Sequence, residues 1–294
     1  MPLFRPRPFY LVISLVLCWV LGCWHGHAMA APVVVRYPGT PSEKDPQADY
    51  VLAVLRLALA KSGQAYLLKA NSGAMQQARA IQDIVDGKNN LDLLWTMTTD
   101  EREAQLIPVR IPLDKGLIGW RIALVRQDRA EMFKSVRRIS DLRVFTAGQE
   151  HDWPDTPILR SNVLPVTTSS SYEALFSMLQ AGRFDYFPRS IIEVWNELRD
   201  HPGAGLAVES QVVLHYPSAM YFFVNPRSPQ LAQDLRNGFE KAIADGSFEK
   251  LFQQHQHAAI QRANLKKRRV IELGNPLIKP DSLPLNRPEL WYRP

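Results

Sequence analysis

The sequence predicts an α/β protein built from two strand–helix regions. Between residues 33 and 95, short apolar runs alternate with stretches of helical periodicity, which is typical of parallel strands joined by helices. A second such region extends from about 140 to 198. Two long extended runs, at about 118–126 and 212–222, connect the two regions.

The N-terminus has the pattern of a secretory signal peptide. Arg5 and Arg7 precede an apolar segment at 9–22, and an Ala-Met-Ala sequence at 28–30 predicts cleavage after residue 30. The apolar segment is shorter than the roughly 18 residues of a membrane-spanning helix. Lipid attachment at Cys23 is the alternative, although the preceding Leu-Gly fits lipoprotein signals poorly. Either processing route predicts an exported, periplasmic protein.

The amino-acid composition limits which kinds of site we expect in the processed chain. Both cysteines, Cys18 and Cys23, lie in the predicted signal peptide, so we expect no disulfide, thiolate nucleophile or cysteine-bound metal after cleavage. The formal net charge is +6. Part of it comes from a basic run at 266–269, which lacks the interleaved aromatic residues of a nucleic-acid groove. We therefore expect no nucleic-acid partner.

Apolar periodicity and turn residues place the elements of the first region. The apolar run at 33–37 ends at Pro-Gly, and the helical pattern at 49–61 ends at Ser-Gly. We predict strands at 33–37, 65–69 and 91–95, helices at 49–61 and 75–85, and a parallel arrangement of these strands.

The second region begins after two extended runs at 106–112 and 116–126. A serine starts the helix that follows residue 169, and Gly182 ends it. We predict strands at 144–146, 163–166 and 184–187, a turn at Gly148, and helices at 155–161, 169–182 and 191–198. Extended runs at 207–215 and 219–224 and helices at 229–245 and 248–263 follow.

The last residues, 264–294, form what we call the C-terminal tail. Prolines at 276, 280, 284, 288 and 294 exclude a continuous helix from 271 onward. Apolar side chains including Leu273, Leu277 and Trp291 are spread between them. We predict an extended tail that lies along the surface of the protein.

Three segments together resemble the type 2 periplasmic solute-binding proteins of the amino-acid class, which are partners of ABC importers. The segment at 97–102, Met-Thr-Thr-Asp-Glu-Arg, resembles that family's Thr-x-x-x-Arg loop. The segment at 172–185 is similar to its helix, glycine and strand-aspartate unit, and the segment at 221–252 resembles its C-terminal part. The likeness spans about 33–255.

The resemblance implies a two-lobed periplasmic-binding-protein-like fold. Each lobe would be a mixed sheet flanked by helices, with two crossover strands as the hinge, and the lobes would close on a small ligand. The expected organisation is a signal peptide at 1–30, lobe 1 at 31–122 with a return at 218–263, lobe 2 at 123–217, and the tail at 264–294.

The resemblance also assigns ligand contacts in the first lobe. Arg102 matches the arginine that grips the ligand's α-carboxylate, and its planar fork suits that group. Thr98 lies beside it as a hydroxyl donor. Trp95 and Tyr37, at strand ends, either stack on the ligand or pack in the core. The alternative for Arg102 is a solvated position beside Asp100 or Glu101.

In the second lobe, Ser170 lies at a strand–helix junction, where hydroxyl and backbone N–H groups bind anions or simply cap the helix. The family usually carries an acidic residue after the strand at 184–187, but Pro-Arg-Ser occupies that place. Arg189 would attract a second acid group on the ligand, which favours a small acidic solute. Alternatively, Arg189 pairs with Glu193 four residues later.

Other functions have less support in the sequence. It lacks Gly-x-Ser-x-Gly, His-Glu-x-x-His and P-loop motifs, so we expect no enzyme activity, catalytic residues, metal or cofactor. The expected partners are a small-molecule ligand and a membrane permease, with the protein acting as a monomer. A sensory or scaffold role on a membrane receptor is the alternative.

Overall fold

The computed structural model describes residues 31–39, 46–88 and 91–294. The predicted signal peptide, with Cys18 and Cys23, lies outside the described residues. Residues Val33–Pro294 form one compact unit. No helix among the described residues combines the length and apolar character needed to cross a membrane.

The described residues form strands and helices at most of the predicted places. The strands are β1 (Val33–Gly39), β2 (Tyr66–Ala74), β3 (Leu93–Met97), β4 (Ile107–Val109), β5 (Trp120–Arg126), β6 (Ala147–Glu150), β7 (Val166–Ser169), β8 (Tyr186–Ser190), β9 (Leu206–Val208), β10 (Val212–His215), β11 (Met220–Val224) and β12 (Arg269–Glu272). The helices are α1 (Pro46–Ser62), α2 (Gln77–Asp86), α3 (Asp100–Gln105), α4 (Asp155–Ser161), α5 (Tyr172–Gln180), α6 (Val194–Asp200), α7 (Pro229–Ala244) and α8 (Ser247–Ala263).

Two small sheets stand where one parallel sheet was predicted. Strands β1 and β2 pair in parallel, but β3 pairs antiparallel with β11, which also pairs with β4. Strand β11 is buried along its whole length, so its apolar side chains are covered when β3 and β4 flank it. Arg36 and Asp92 join β1 to β3, because each backbone N–H donates to the other residue, at 2.7 and 2.9 Å.

The larger sheet is mixed, as predicted for a lobe of this fold class. Its strand order is β12-β10-β5-β8-β6-β7, and β9 pairs with β5. Strand β5 runs antiparallel to β8, β9 and β10, whereas β6 is parallel to β7 and β8. The C-terminal tail supplies the edge strand β12.

Several predictions for the second region are wrong, and the strand expected at 163–166 lies instead at Val166–Ser169. The strand expected at 144–146 begins only at Ala147, because Val144 is 79% exposed and ends a short 3-10 helix. Gly148 lies inside β6 rather than in a turn. The ring of Phe184 packs so closely against it that a Cβ there would lie 2.2 Å from the ring.

The strand predicted at 184–187 is also displaced along the chain. It extends from Tyr186 to Ser190, so Pro188 and Arg189 lie within β8 and not after it. All five residues of β8 are buried. Arg189 is consequently a side chain of the sheet rather than of a loop.

The chain passes between the small sheets and the larger sheet through closely packed segments. Gly119 precedes β5, and a Cβ at this position would lie 2.3 Å from the carbonyl oxygen of Tyr216, which follows β10. The backbone N–H of Tyr216 also donates to the carbonyl of Gly119 at 3.2 Å. Glycine is required here because the two backbones touch.

Candidate functional site

A capped helix holds Arg102 at the end of a buried strand. Strand β3 ends at Met97, and Thr99 caps α3 by accepting a hydrogen bond from the backbone N–H of Arg102 at 3.1 Å. Threonine is a favoured cap because its hydroxyl satisfies a free N–H of the first turn. The side chain of Arg102 then extends back over the end of β3.

The guanidinium of Arg102 is bound by neutral acceptors. Its Nη1 donates to the Thr96 hydroxyl at 2.7 Å and to the Met97 carbonyl at 2.8 Å, and its Nη2 donates to Oε1 of Gln77 at 2.6 Å. Arg102 is only 8% exposed. Burial lowers the pKa of Arg102 to about 10, although Asp152 and Glu101 act in the opposite direction.

Arg102 differs in this respect from the other buried arginines. Three described arginines are at most 8% exposed as whole residues: Arg102, Arg121 and Arg189. The side chain of Arg268 is also buried, at 6% exposed, and it forms an ion pair with Glu209 at 3.9 Å. Arg121 forms ion pairs with Asp155 at 2.8 Å and Glu193 at 3.2 Å. In the described part of the chain, no carboxylate forms an ion pair with Arg102. Of these three arginines, it alone has a charge without an ionic partner among the described residues.

Arg189, in contrast, is surrounded by anions. It forms ion pairs with Glu197 at 2.6 Å and Glu193 at 3.2 Å, so the pair with Glu193 considered from the sequence is present. Its guanidinium also lies over the rings of Trp153 and Phe187, 4.5 and 5.0 Å from their centroids. Burial raises the pKa of Glu193, but Arg189 and Arg121 outweigh it and lower that pKa overall.

The structure places three further predicted residues near Arg102 along the chain or on neighbouring strands. Thr98 is fully buried, and its hydroxyl donates to Oε1 of Glu103 at 2.7 Å. The rings of Tyr37 and Trp95 lie 6.0 Å apart and tilted by 42°. Both rings pack against the main hydrophobic core, which is the packing role weighed from the sequence.

The start of α2 contacts loops of the larger sheet. The carbonyl of Ser170 accepts a hydrogen bond from Nε2 of Gln76 at 2.7 Å, and the carboxylate of Asp152 accepts one from the backbone N–H of Ala78 at 3.3 Å. Gln77 lies between these two residues and holds Arg102. The predicted contacts Ser170 and Arg102 are therefore linked through adjacent residues at the start of α2.

Sequence reasoning did not select Gln77 or Asp152 as site residues. Each lies in a short polar stretch, so neither has a motif or spacing that distinguishes it from polar residues exposed to solvent. The other oxygen of Asp152, Oδ1, is buried without a hydrogen-bond partner among the described residues. Among the acidic groups acting on Arg102, Asp152 contributes most to keeping its charged form.

The fold is found among known ligand-binding proteins. An ancestral arginine-binding protein matches 77% of this chain and 98% of its own, with 16% identity and a TM-score of 0.57. The VFT2 domain of BvgS from Bordetella pertussis matches 76% and 92%, with 16% identity and a TM-score of 0.58. An arginine-specific periplasmic binding protein from Salmonella typhimurium matches 76% and 98%, with 16% identity and a TM-score of 0.56.

The chain has the two-lobed fold of the type 2 periplasmic binding proteins. At these identities the likeness shows the fold alone. No protein-family model matches the sequence, and no curated protein matches it either.

Proposed function

We propose that the chain is a periplasmic solute-binding protein that captures a small carboxylate-bearing solute between its lobes. Arg102 is the anchoring residue, and the loaded protein presents the solute to a membrane ABC transporter. The observation that carries this proposal is the charge of Arg102, which no carboxylate of the described residues pairs, whereas Arg121 and Arg189 each have two carboxylates.

The lack of a carboxylate partner for Arg102 matters because burying a charge is costly. Removing a charged group from water costs several kcal/mol unless it is paired, so a buried arginine with neutral partners is expensive to keep. Arg102 makes three side-chain hydrogen bonds to the protein, and a guanidinium carries five N–H groups. A ligand carboxylate would supply the missing charge, and closing the lobes would strengthen that interaction by excluding water.

The surroundings of Arg189 affect how strongly it could attract a second acid group of the ligand. Glu193 and Glu197 balance the charge of Arg189, so it attracts a ligand anion less than an unpaired arginine would. The proposal of an acidic solute therefore rests mainly on one carboxylate held by Arg102.

The remaining parts of the proposal concern lobe movement, ligand contacts, export and oligomeric state. Lobe 1 at 31–122 and 218–263 and lobe 2 at 123–217 would rotate about the crossovers, and Thr98, Trp95, Tyr37 and Ser170 would lie on the ligand-facing side. The predicted signal peptide would export the chain. The role is binding without catalysis, and a monomer suffices.

A second candidate is a sensory or scaffold role on a membrane receptor. The C-terminal tail favours it, because this segment lies outside the sequence likeness to transport proteins and would add a surface for a receptor. A neighbouring gene for a sensor kinase would support this role, and a neighbouring permease gene would support transport.

A thermal-shift screen of the processed protein tests the main proposal. The compounds are amino acids, dicarboxylates, short peptides and other acidic metabolites. A ligand at 100 times its dissociation constant adds about 2.7 kcal/mol of stability and raises the unfolding midpoint. Arg102→Ala should abolish the shift, whereas Arg56→Ala, at an exposed position of α1, should retain it. No shift with any compound would contradict the transport role.

A further inference from the structure

We propose that the C-terminal tail, residues 264–294, limits the opening of the two lobes by fastening the larger sheet to the small sheet of β3, β4 and β11 and to the adjoining helix α3, which carries Arg102. This inference concerns the mechanics of the fold and does not depend on which solute binds.

The first half of the tail belongs to the larger sheet. Strand β12 pairs in parallel with β10 over four residues, from Val212 with Arg269 to His215 with Glu272. Just beyond it, Asn162 and Gly274 exchange two hydrogen bonds, with Nδ2 to O at 2.7 Å and N to Oδ1 at 2.9 Å. This anchor fixes the tail to the loop after α4.

The second anchor lies on α3, the helix of Arg102. The backbone N–H of Asp100 donates to the Leu277 carbonyl at 2.8 Å. In return, Oδ1 of Asp100 accepts from the backbone N–H of Lys279 at 3.2 Å and from the Ser282 hydroxyl at 3.0 Å. Asp100 is two residues from Arg102, so the tail holds the helix that would bind the ligand.

Little slack separates the two anchors. Gly274 and Leu277 are three residues apart, which allows a span of about 10–11 Å when the chain is fully extended. Pro276 fixes one backbone angle within this stretch. Nδ2 of Asn275 also donates to the carbonyl of Pro217, in the connection between β10 and β11, at 2.9 Å. Lobe rotation must therefore deform the tail or release an anchor.

The end of the tail adds contacts on the Arg102 side. Leu283 is buried with side chains of α2, β3 and β11. Arg287 forms two hydrogen bonds to the carboxylate of Glu240 on α7, at 2.6 and 2.9 Å. The backbone N–H of Tyr292 donates to the carbonyl of Lys115 at 2.8 Å. These contacts make the small-sheet anchor extend well beyond Asp100.

Distances between spin labels test this proposal without any ligand. Cysteines replace Ala60 on α1 and Ser177 on α5, both exposed, in the chain beginning at Ala31, which has no other cysteine. Pulsed electron resonance should give one narrow distance for this protein. Asp100→Ala combined with Arg287→Ala removes the side-chain hydrogen bonds of the small-sheet anchor to Lys279, Ser282 and Glu240. This double variant should broaden the distribution and lengthen its mean.

Two further variants make the outcome decisive. Asp281→Ala changes the same residue type in the tail at an exposed side chain, and it should keep the narrow distribution. Asn162→Ala, at a partly exposed position, removes both hydrogen bonds to Gly274, so the free stretch before Leu277 begins nearer the end of β12 and gains slack. It tests the proposal if the double variant does not fold. Unchanged distances in the folded release variants would overturn the proposal, whether or not a solute is ever found.

Discussion

Replacing Gln77 by glutamate should make the protein more stable and impair its binding. The substitution keeps the shape of the side chain and places a carboxylate oxygen about where Oε1 now accepts from Arg102 Nη2 at 2.6 Å. The pKa of Arg102, lowered to about 10, corresponds to a burial cost of about 3 kcal/mol. We expect Gln77→Glu to recover about 1–2 kcal/mol of that cost, because an ion pair offsets only part of the cost of burying the charge of Arg102.

The same carboxylate should repel the proposed ligand. A bound carboxylate on the far side of the guanidinium would lie about 7 Å from the carboxylate introduced by Gln77→Glu, where like charges cost about 2 kcal/mol at an effective dielectric constant of about 20. This cost corresponds to roughly thirtyfold weaker affinity. Stability and affinity should therefore change in opposite directions.

Urea unfolding and calorimetric titration measure the two effects. Gln254→Glu is the matched control, because Gln254 is exposed on α8 and its substitution should change the unfolding free energy by less than about 0.5 kcal/mol. A Gln77→Glu protein that is less stable than the parent, or that binds a carboxylate ligand equally well, would refute the account of Arg102 as an unpaired charge.

Two further predictions concern the stability of the larger sheet and its loops. Val163 has φ of +60° and is 61% exposed, so Val163→Gly should raise the urea-unfolding free energy by about 0.5–1 kcal/mol through relief of left-handed strain. The control Val144→Gly changes an exposed residue without positive φ and should lower the unfolding free energy. A lower unfolding free energy in both variants would contradict strain at Val163. Burial, followed by the charge of Asp152, raises the pKa of Glu150 to about 7. The folded protein therefore holds this proton more tightly than the unfolded chain, and stability should fall as pH rises from about 4.5 to 8, by about 1 kcal/mol after allowance for solvent screening. Glu150→Gln should flatten that dependence, and an equal slope in both proteins would exclude Glu150 as its source.

The sequence predicted the positions of strands and helices better than it predicted which strands pair. Helix 155–161 and the helices near 229–245 and 248–263 were placed well, because helical periodicity and terminal residues are local signals. The pairing of β3 with β11 joins residues more than a hundred positions apart, and no local pattern reports it. Strand β6 was misplaced because its small residues, Ala147 and Gly148, carry little apolar signal although Phe184 packs against Gly148.

The sequence also predicted only part of the candidate site. Arg102 was identified because a Thr-x-x-x-Arg loop follows a buried strand, and the structure adds that its acceptors are neutral. Whether a buried arginine is paired depends on which distant side chains reach it. The sequence left the partner of Arg189 open between Glu193 and a ligand, and it gave no indication of Glu197 or of Gln77.

The position of β12 also has a consequence for how the protein is made. Strand β12 begins at Arg269, whereas its partner β10 ends at His215, so β10 leaves the ribosome well before β12 does. Until it arrives, β10 lacks its parallel neighbour, and an unpaired strand edge favours association with other chains. Synthesis must therefore pass residue 272 before this edge is covered, and a nascent chain that ends before residue 269 would expose it to aggregation.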